Sequence, residues 1–234
     1  MSLQRKLKQL AREMGASFFG VAGIRVAHKS VSTQGSEYLK RFPTAISIGI
    51  RLSDATVDSP HRHRDLAVIF TYRSHYNAVN SRLDQIALTL ALELERDGYN
   101  AYPIPTSQII DKGRLVGAIS HKLAAHLAGL GWIGKSCLLI TPECGPRVRF
   151  ATVLTDAPLR AGSPMPDRCG ECRECVDICP SKAIIGVPFN PSEPRDARFN
   201  AHLCHEYSEK REREIGEGLC GLCVYICPYG MQTE

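Results

Sequence analysis

Apolar residues recur at helical or strand-like spacing through the first 160 residues of the chain. Leu3, Leu7 and Leu10 are spaced as on one face of a helix, which Gly15 would end. A longer pattern of the same kind predicts a helix over residues 65–97. Its apolar face carries Leu83, Ile86, Leu90 and Leu94.

Short apolar runs between these helices predict strands. They cover residues 18–24, 45–52, 99–104, 138–140 and 148–154. A further helix is expected to follow Ser120, its N-cap, and to end at Gly129. Because helices and strands alternate, we predict an α/β layer structure for this part of the chain.

Cysteine content and charge divide the chain in two. Eight of the 10 cysteines lie in residues 163–234, and only Cys137 and Cys144, expected to be buried small hydrophobes, precede them. Residues 1–162 carry 21 Lys+Arg and 12 Asp+Glu, a net +9, whereas residues 163–234 carry 8 and 12, a net −4. We therefore expect two domains, residues 1–162 and residues 163–234, the first suited to an anionic ligand.

The sequence offers no sign of export or of a membrane span. No apolar run approaches the roughly 20 residues of a membrane-spanning helix, and the start MSLQRKLKQLAREMG lacks a secretory apolar core. We expect a cytoplasmic protein without a membrane partner. In a reducing cytosol, a dense cysteine cluster indicates metal or redox chemistry more often than disulfides.

The cysteine spacing is that of 4Fe–4S proteins. Residues 169–180 read CGECRECVDICP, or C-x2-C-x2-C-x3-C-P, in which three thiolates bind one cluster and the fourth binds a second. We expect Cys179 to open a helix, with Pro180 keeping it extended. Residues 220–228 (CGLCVYICP) repeat the pattern without its first cysteine, and Cys204 is the remaining cysteine that can fill that place.

This assignment uses all eight cysteines. One cluster takes Cys169, Cys172, Cys175 and Cys227, and the other takes Cys179, Cys204, Cys220 and Cys223. The alternatives are a disulfide scaffold or two zinc sites, although zinc ligands usually come in separated cysteine pairs. Four thiolates leave no iron position open, so we expect both clusters to pass electrons rather than bind substrate. The net charge of −4 around them fits a low-potential carrier. Residues 206–217 are expected to form a solvated helix between Cys204 and Cys220.

Several segments before the cysteines carry a more specific pattern. They are AGLGWIGK at 128–135, LLI at 138–140, GPRVR at 145–149 and TVLTD at 152–156. Together they resemble the central block of the epoxyqueuosine reductase family, which is similar to the reductive dehalogenases. The resemblance implies a nitroreductase-like α/β domain followed by a two-cluster ferredoxin-like domain, in a short branch of the family without the helical-repeat extension that grips tRNA.

The resemblance also implies a cofactor and an electron source. A bound cobalamin would receive electrons from the two clusters, which a donor of ferredoxin or flavodoxin type would reduce. The residues that match the family's cofactor wall are Gly131, Trp132, Gly134, Lys135, Arg147 and Arg149. Glycines allow close backbone approach to a flat ligand, and a fixed Lys or Arg pairs with corrin amides or a phosphate.

One segment departs from the family pattern. The tRNA-modifying members carry a D-x-x-P-x-x-E-like segment, whereas residues 115–121 (LVGAISH) have neither acid and place His121 at the glutamate position. This departure argues against tRNA as a partner and favours a small-molecule or nucleoside-like substrate. Reduction also needs a proton donor, for which the candidates are His121, Tyr102 and Asp111.

Two other functions remain open at this point. In one, the chain is an electron-transfer protein without cobalamin, and its α/β domain docks the clusters to a partner enzyme. In the other, it is a flavin-bearing reductase, because nitroreductase-like domains also hold flavin.

Overall fold

The computed structural model describes residues 2–25, 37–62 and 65–231. The helices in these ranges are α1 (Leu3–Glu13), α2 (Asp54–Arg62), α3 (Leu66–Arg96), α4 (His121–Leu127), α5 (Glu174–Asp177), α6 (Ala201–Ile215) and α7 (Leu222–Tyr225). The strands are β1 (Phe18–Gly23), β2 (Thr44–Arg51), β3 (Ala101–Ile104), β4 (Trp132–Ile133), β5 (Leu139–Ile140) and β6 (Val148–Thr155). The mixed α/β class is confirmed, and the predicted elements lie within a few residues of their expected bounds.

The chain divides into two compact units, each built from separate stretches. The sheet unit comprises residues 1–51, 79–131 and 149–165. The cysteine unit comprises residues 52–78, 132–148 and 166–234. The last boundary lies close to the expected joint, but two earlier stretches cluster with the cysteines because they supply the helices and the hairpin around the cysteine loops. The division of the chain into domains at residue 162 stays a prediction.

The sheet unit is a four-stranded sheet with helices packed on it. Its strand order is β1-β2-β6-β3, with β1 antiparallel to β2 and β3 antiparallel to β6. Helix α4 packs on β1 and β2, and it begins at Ser120, whose hydroxyl accepts a hydrogen bond from the Leu123 N–H. The predicted apolar face of α3 is fully buried at Leu83, Ile86, Leu90 and Leu94.

The cysteine unit is made of short elements. The hairpin β4–β5 pairs Trp132 with Ile140 and Ile133 with Leu139. Helix α6 begins at its N-cap Asn200 and ends at Gly216, whose φ of 76° suits a residue without a side chain. This helix confirms the expected link between Cys204 and Cys220, although it starts before Cys204.

The expectation that Cys179 opens a helix is wrong. Cys179 follows α5, the short helix that carries Cys175, and its N–H donates back to the Val176 carbonyl at 3.3 Å. The chain has therefore already turned when it reaches Cys179, and Pro180 begins a further turn rather than a helix.

In the three described ranges, none of the helices combines the length and the apolar character needed to cross a bilayer.

Candidate metal centre

Three cysteines close together in sequence and a fourth more than 50 residues further on line one cavity of the cysteine unit, here called the first thiol cavity. They are Cys169, Cys172, Cys175 and Cys227. The wall between them is completed by Lys135, Ser136, Ile140, Glu174, Pro228 and Tyr229. The structure thus brings together the four residues expected to bind one cluster.

Local backbone geometry positions these four thiols. Gly170 adopts a φ of 48°, and the Cys172 N–H donates to the Cys169 carbonyl at 3.0 Å, so the chain turns between the first two cysteines. Cys175 lies on α5. Cys227 precedes a 3-10 turn in which its carbonyl accepts the Gly230 N–H at 2.8 Å. The CxxC turn, the short helix and the turn at Pro228 together aim the sulfurs at one space.

The other four cysteines form the second thiol group: Cys179, Cys204, Cys220 and Cys223. Burial, together with the nearby Cys220 and Cys204 thiols, raises the pKa of Cys223 to about 12. Cys204 likewise interacts with Cys220 and Cys179. The expected partners of the second cluster are therefore neighbours as well.

The pKa values of the cysteine thiols are not all shifted in the same direction. Burial raises the pKa of Cys175 to about 11, with Cys169 and Cys227 adding to the shift. Burial alone would also raise the pKa of Cys179, but the Ser181 hydroxyl and nearby backbone N–H groups lower it overall. Only the thiolate is a metal ligand, so a metal must displace protons from most of these sulfurs.

Within the part of the chain that the structure describes, no three His, Cys, Asp or Glu side chains are arranged to hold one metal ion. Tetrahedral zinc draws four sulfurs to about 2.3 Å from one point, whereas the four thiols of the first cavity surround a space.

Lys135 lines the first thiol cavity, and its neighbour Gly134 lies beside one of the cavity's cysteines. The Lys135 ammonium is 8% exposed and donates to the carbonyls of Gly170 and Cys172 at 2.5 and 3.2 Å. A Cβ on Gly134 would lie 3.1 Å from Cys169 Sγ and 2.8 Å from Ile140 Cγ1. Glycine at this position thus lets the backbone pass directly behind a cysteine sulfur, and the lysine braces the loop between two cysteines.

Trp132 is 1% exposed in the same unit. Its ring meets the Tyr229 ring edge-on at 4.8 Å between centroids, and the Arg168 guanidinium lies 5.6 Å from its centre. It therefore packs against residues that flank Cys169 and Cys227.

The remaining residues of the expected corrinoid wall also contact protein groups. Arg147, 2% exposed, forms ion pairs with Asp54 and Asp58 at 3.1 and 2.7 Å. Arg149 donates to Asn80 Oδ1 at 3.0 Å. The carbonyl of Gly131 is hydrogen-bonded to His126 at 3.1 Å. Their role toward a corrinoid stays a prediction.

The three proton-donor candidates have separate surroundings. His121 Nδ1 is hydrogen-bonded to the Thr152 hydroxyl at 2.8 Å and Nε2 to the Pro105 carbonyl at 3.1 Å. Burial lowers the His121 pKa to about 4, which does not suit a donor at neutral pH. Asp111 accepts the Arg114 N–H at 2.9 Å within a loop. Tyr102, 41% exposed, lies on the edge strand β3.

Sequence reasoning missed two features beside the cysteines. Glu217, expected on a solvated helix, is 4% exposed and accepts two hydrogen bonds from Arg73 Nε and Nη2 at 2.8 and 2.6 Å. Gly145 has a φ of 56°, and a Cβ there would lie 2.5 Å from the Gly230 nitrogen. The GPR motif that begins at Gly145 is the signal that could have revealed the second feature. Nothing local signals the pair of Arg73 and Glu217, which lie 144 residues apart.

Comparison with protein families supports the metal chemistry. Residues 168–230 match the family model of the 4Fe–4S double cluster binding domain. An epoxyqueuosine reductase from Atelocyanobacterium thalassa is 26% identical over 255 aligned positions, covering 98% of this chain and 80% of that protein. One from Gloeobacter violaceus is 34% identical over 128 positions, but the match covers only 50% of this chain and 38% of that protein.

Solved structures share the fold. The catabolic reductive dehalogenase NpRdhA, in complex with 3-bromo-4-hydroxybenzoic acid, superposes with a TM-score of 0.71 at 21% identity, covering 97% of this chain and 31% of that one. The epoxyqueuosine reductase from Streptococcus thermophilus gives a TM-score of 0.62 at 19% identity, covering 98% and 66%. The chain therefore resembles the epoxyqueuosine reductases along most of its length, shares its fold with them and with reductive dehalogenases, and carries a 4Fe–4S double cluster binding domain.

Proposed function

We propose that the chain is an iron–sulfur reductase that holds one 4Fe–4S cluster in the first thiol cavity and another at the second thiol group. The observation that carries the proposal is the convergence of Cys227 with Cys169, Cys172 and Cys175 on one cavity. A cubic cluster needs four thiolates around a space rather than around a point, and this arrangement fits that need. When bound, the clusters supply one-electron transfer.

The residues around the thiols fit a cluster. Gly134 leaves room behind Cys169, and the Lys135 ammonium places a positive charge beside a group that four thiolates make negative. The Cys175 thiol of the first cavity is near enough to Cys223 of the second group to raise its pKa. Both pack against the apolar cluster of Val176, Cys179, Ala183 and Ile184. Because ligands of the two clusters are neighbours, this arrangement favours electron transfer from one cluster to the other.

Two acceptors for the electrons follow from different observations. Cobalamin is supported by a structural neighbour, a reductive dehalogenase described as B12-dependent, which overlays this chain with a TM-score of 0.69. However, the three cationic residues expected to contact cobalamin, Lys135, Arg147 and Arg149, are bonded to protein partners. This favours the second candidate, an electron-transfer protein without cobalamin that docks to a partner enzyme.

The substrate class follows from the relatives. One neighbour is an epoxyqueuosine reductase solved with a modified tRNA stem loop, and another is a dehalogenase with a halogenated hydroxybenzoate. We propose a small or nucleoside-like substrate for this chain and include a tRNA stem loop among the compounds to assay. The nitroreductase-like description of the sheet unit belongs to this proposal, as does a low-potential electron donor of ferredoxin or flavodoxin type.

Metal analysis of the anaerobically purified protein tests the proposal. After reconstitution with iron and sulfide in the presence of cobalamin and flavin, we expect eight irons per chain and the electron paramagnetic resonance of reduced 4Fe–4S clusters. Retained cobalt supports a corrinoid acceptor, retained flavin supports a flavin reductase, and neither supports the electron-transfer protein. Iron at four per chain or fewer would overturn the two-cluster assignment.

Cysteine variants test the ligand sets. Cys204→Ala should halve the iron content, because it removes one thiolate of the second group only. Cys144→Ala is the matched control: Cys144 is 2% exposed, belongs to neither thiol set and contacts Thr141. It should keep eight irons. Full iron content in Cys204→Ala would show that another group is the ligand.

A further inference from the structure

The indole N–H of Trp132 is a buried donor without a completed hydrogen bond. The side chain is 1% exposed, and Nε1 has no hydrogen-bond partner in the part of the chain that the structure describes. Tryptophan N–H groups in protein interiors usually find an acceptor, because a buried unpaired donor is costly. The position of this N–H therefore needs a reason.

The sulfur of Cys169 lies beside the backbone that follows Trp132, two residues further along the chain at Gly134. Burial raises the pKa of the Cys169 thiol, while the Lys135 backbone N–H and the Trp132 indole N–H both act to lower it. The backbone of β4 and the residues after it lie close to the same sulfur, since a Cβ on Gly134 would be 3.1 Å from Sγ. A thiolate accepts hydrogen bonds better than a thiol does, so iron binding would complete the indole contact.

The ring is held in this orientation from two sides. Tyr229 meets it edge-on, and Arg168 covers its face. The Tyr229 hydroxyl in turn donates to the Arg168 carbonyl at 2.9 Å, tying both contacts to the residue before Cys169. The indole cannot turn away without breaking this packing.

A second positive influence lies on the same side of the cavity. The Lys135 ammonium is 8% exposed and is held by two carbonyls of the loop from Cys169 to Cys172. Both carbonyls are neutral acceptors, so these two contacts leave the ammonium charge uncompensated. That charge lies in the wall of the first thiol cavity.

We propose that Trp132 and Lys135 raise the reduction potential of the cluster in the first thiol cavity. This inference rests on the proposed function, since it takes Cys169 as a cluster ligand. Reduction adds one electron to the cluster from an external donor and breaks no bond, so negative charge grows on the iron-bound sulfurs. An N–H donor to Cys169 and a buried ammonium both favour that state, and hydrogen bonds to sulfur are among the determinants of cluster potential. The two residues are positioning residues for electron transfer.

Because the chain has a single tryptophan, its indole can be replaced without touching any other site. Residue-specific incorporation of β-(benzothienyl)alanine keeps the fused ring and removes the N–H. Incorporation of β-(thienopyrrolyl)alanine keeps both the fused ring and the N–H, and it is the matched control. Each protein, with the Trp132→Phe variant, is titrated with dithionite in the presence of redox mediators and followed by electron paramagnetic resonance.

We expect one of the two cluster potentials to become more negative in the benzothienyl protein and in Trp132→Phe, while the other potential and the eight irons stay unchanged. The thienopyrrolyl protein should titrate like the natural one. Lys135→Met should shift the same potential in the same direction, and Lys135→Arg should restore it. Unchanged potentials in the benzothienyl protein with full iron would overturn the inference. If the unsubstituted protein lacks two one-electron couples, the proposed function itself fails.

Discussion

The ion pair between Arg73 and Glu217 braces the segment that leads into Cys220. Glu217 accepts from Arg73 Nε and Nη2 and also takes the Leu219 N–H at 2.6 Å. Replacing Arg73 with Met removes the guanidinium and leaves a buried carboxylate with backbone contacts alone. The change should destabilise the folded protein through the uncompensated charge.

The burial of the Arg73 and Glu217 side chains determines how much folding stability the change should remove. The Glu217 side chain is 5% exposed, but the Arg73 side chain keeps 33% of its exposure. Breaking a fully buried pair costs about 3–5 kcal/mol, and breaking an exposed one costs less than about 1 kcal/mol. For this half-screened pair we expect a loss of about 2 kcal/mol. With a urea dependence of about 2 kcal/mol per molar, the unfolding midpoint should fall by about 1 M.

A double-mutant cycle measures the coupling itself. Urea unfolding of the reconstituted protein is followed anaerobically by far-ultraviolet circular dichroism for the parent, Arg73→Met, Glu217→Gln and the double variant. The double variant should lose less than the sum of the single losses, by about 2 kcal/mol. Additive losses would refute the reasoning, because they would mean that the two side chains do not stabilise each other.

Two further predictions concern single residues. Gly145→Ala should lower the free energy of unfolding by about 3 kcal/mol, since it adds a close contact to an unfavourable φ. Gly98→Ala, with a φ of 86° and open space around it, should lower it by only about 1 kcal/mol in urea unfolding. Equal losses in the two variants would contradict the close approach of Gly145 to Gly230. His121 should stay neutral from pH 8 to pH 5.5 in an NMR titration, because burial lowers its pKa to about 4. Its unfolded form binds the proton first, so folding stability should fall as the pH drops from about 6.5 toward 4. A midpoint near 6.5 in the folded protein would disprove this.

Local patterns were enough to predict the long elements. The spacing of Leu83, Ile86 and Leu90 predicts α3 because a helix must bury one face, and Ser120 marks the start of α4 because its hydroxyl caps a free N–H. Helix α2 was missed, since Pro60 interrupts its nine residues and no clear apolar face signals it. The cysteine spacing indicated the two ligand sets because it reflects cluster geometry.

The direction of the side chains could not be predicted in the same way. The sequence presents Lys135 and Arg147 as free cations, suited to a large ligand. In the structure, the first is bonded to loop carbonyls and the second to Asp54 and Asp58. Those partners lie tens of residues away in the chain, so only the tertiary fold determines them. Arg73 and Glu217 meet for the same reason.

The order of the eight cysteines along the chain has a consequence for cluster assembly. All four cysteines of the second thiol group lie within the 51 residues between Cys175 and Cys227. If Cys179 and Cys223 are joined first, the free loop between Cys175 and Cys227 shortens to about eight residues. The entropy cost of bringing Cys227 to the first thiol cavity then falls by about 1.7 kcal/mol. The second thiol group thus shortens the loop that the first cluster must close. This nested arrangement favours an order of assembly in which the second cluster forms before the first.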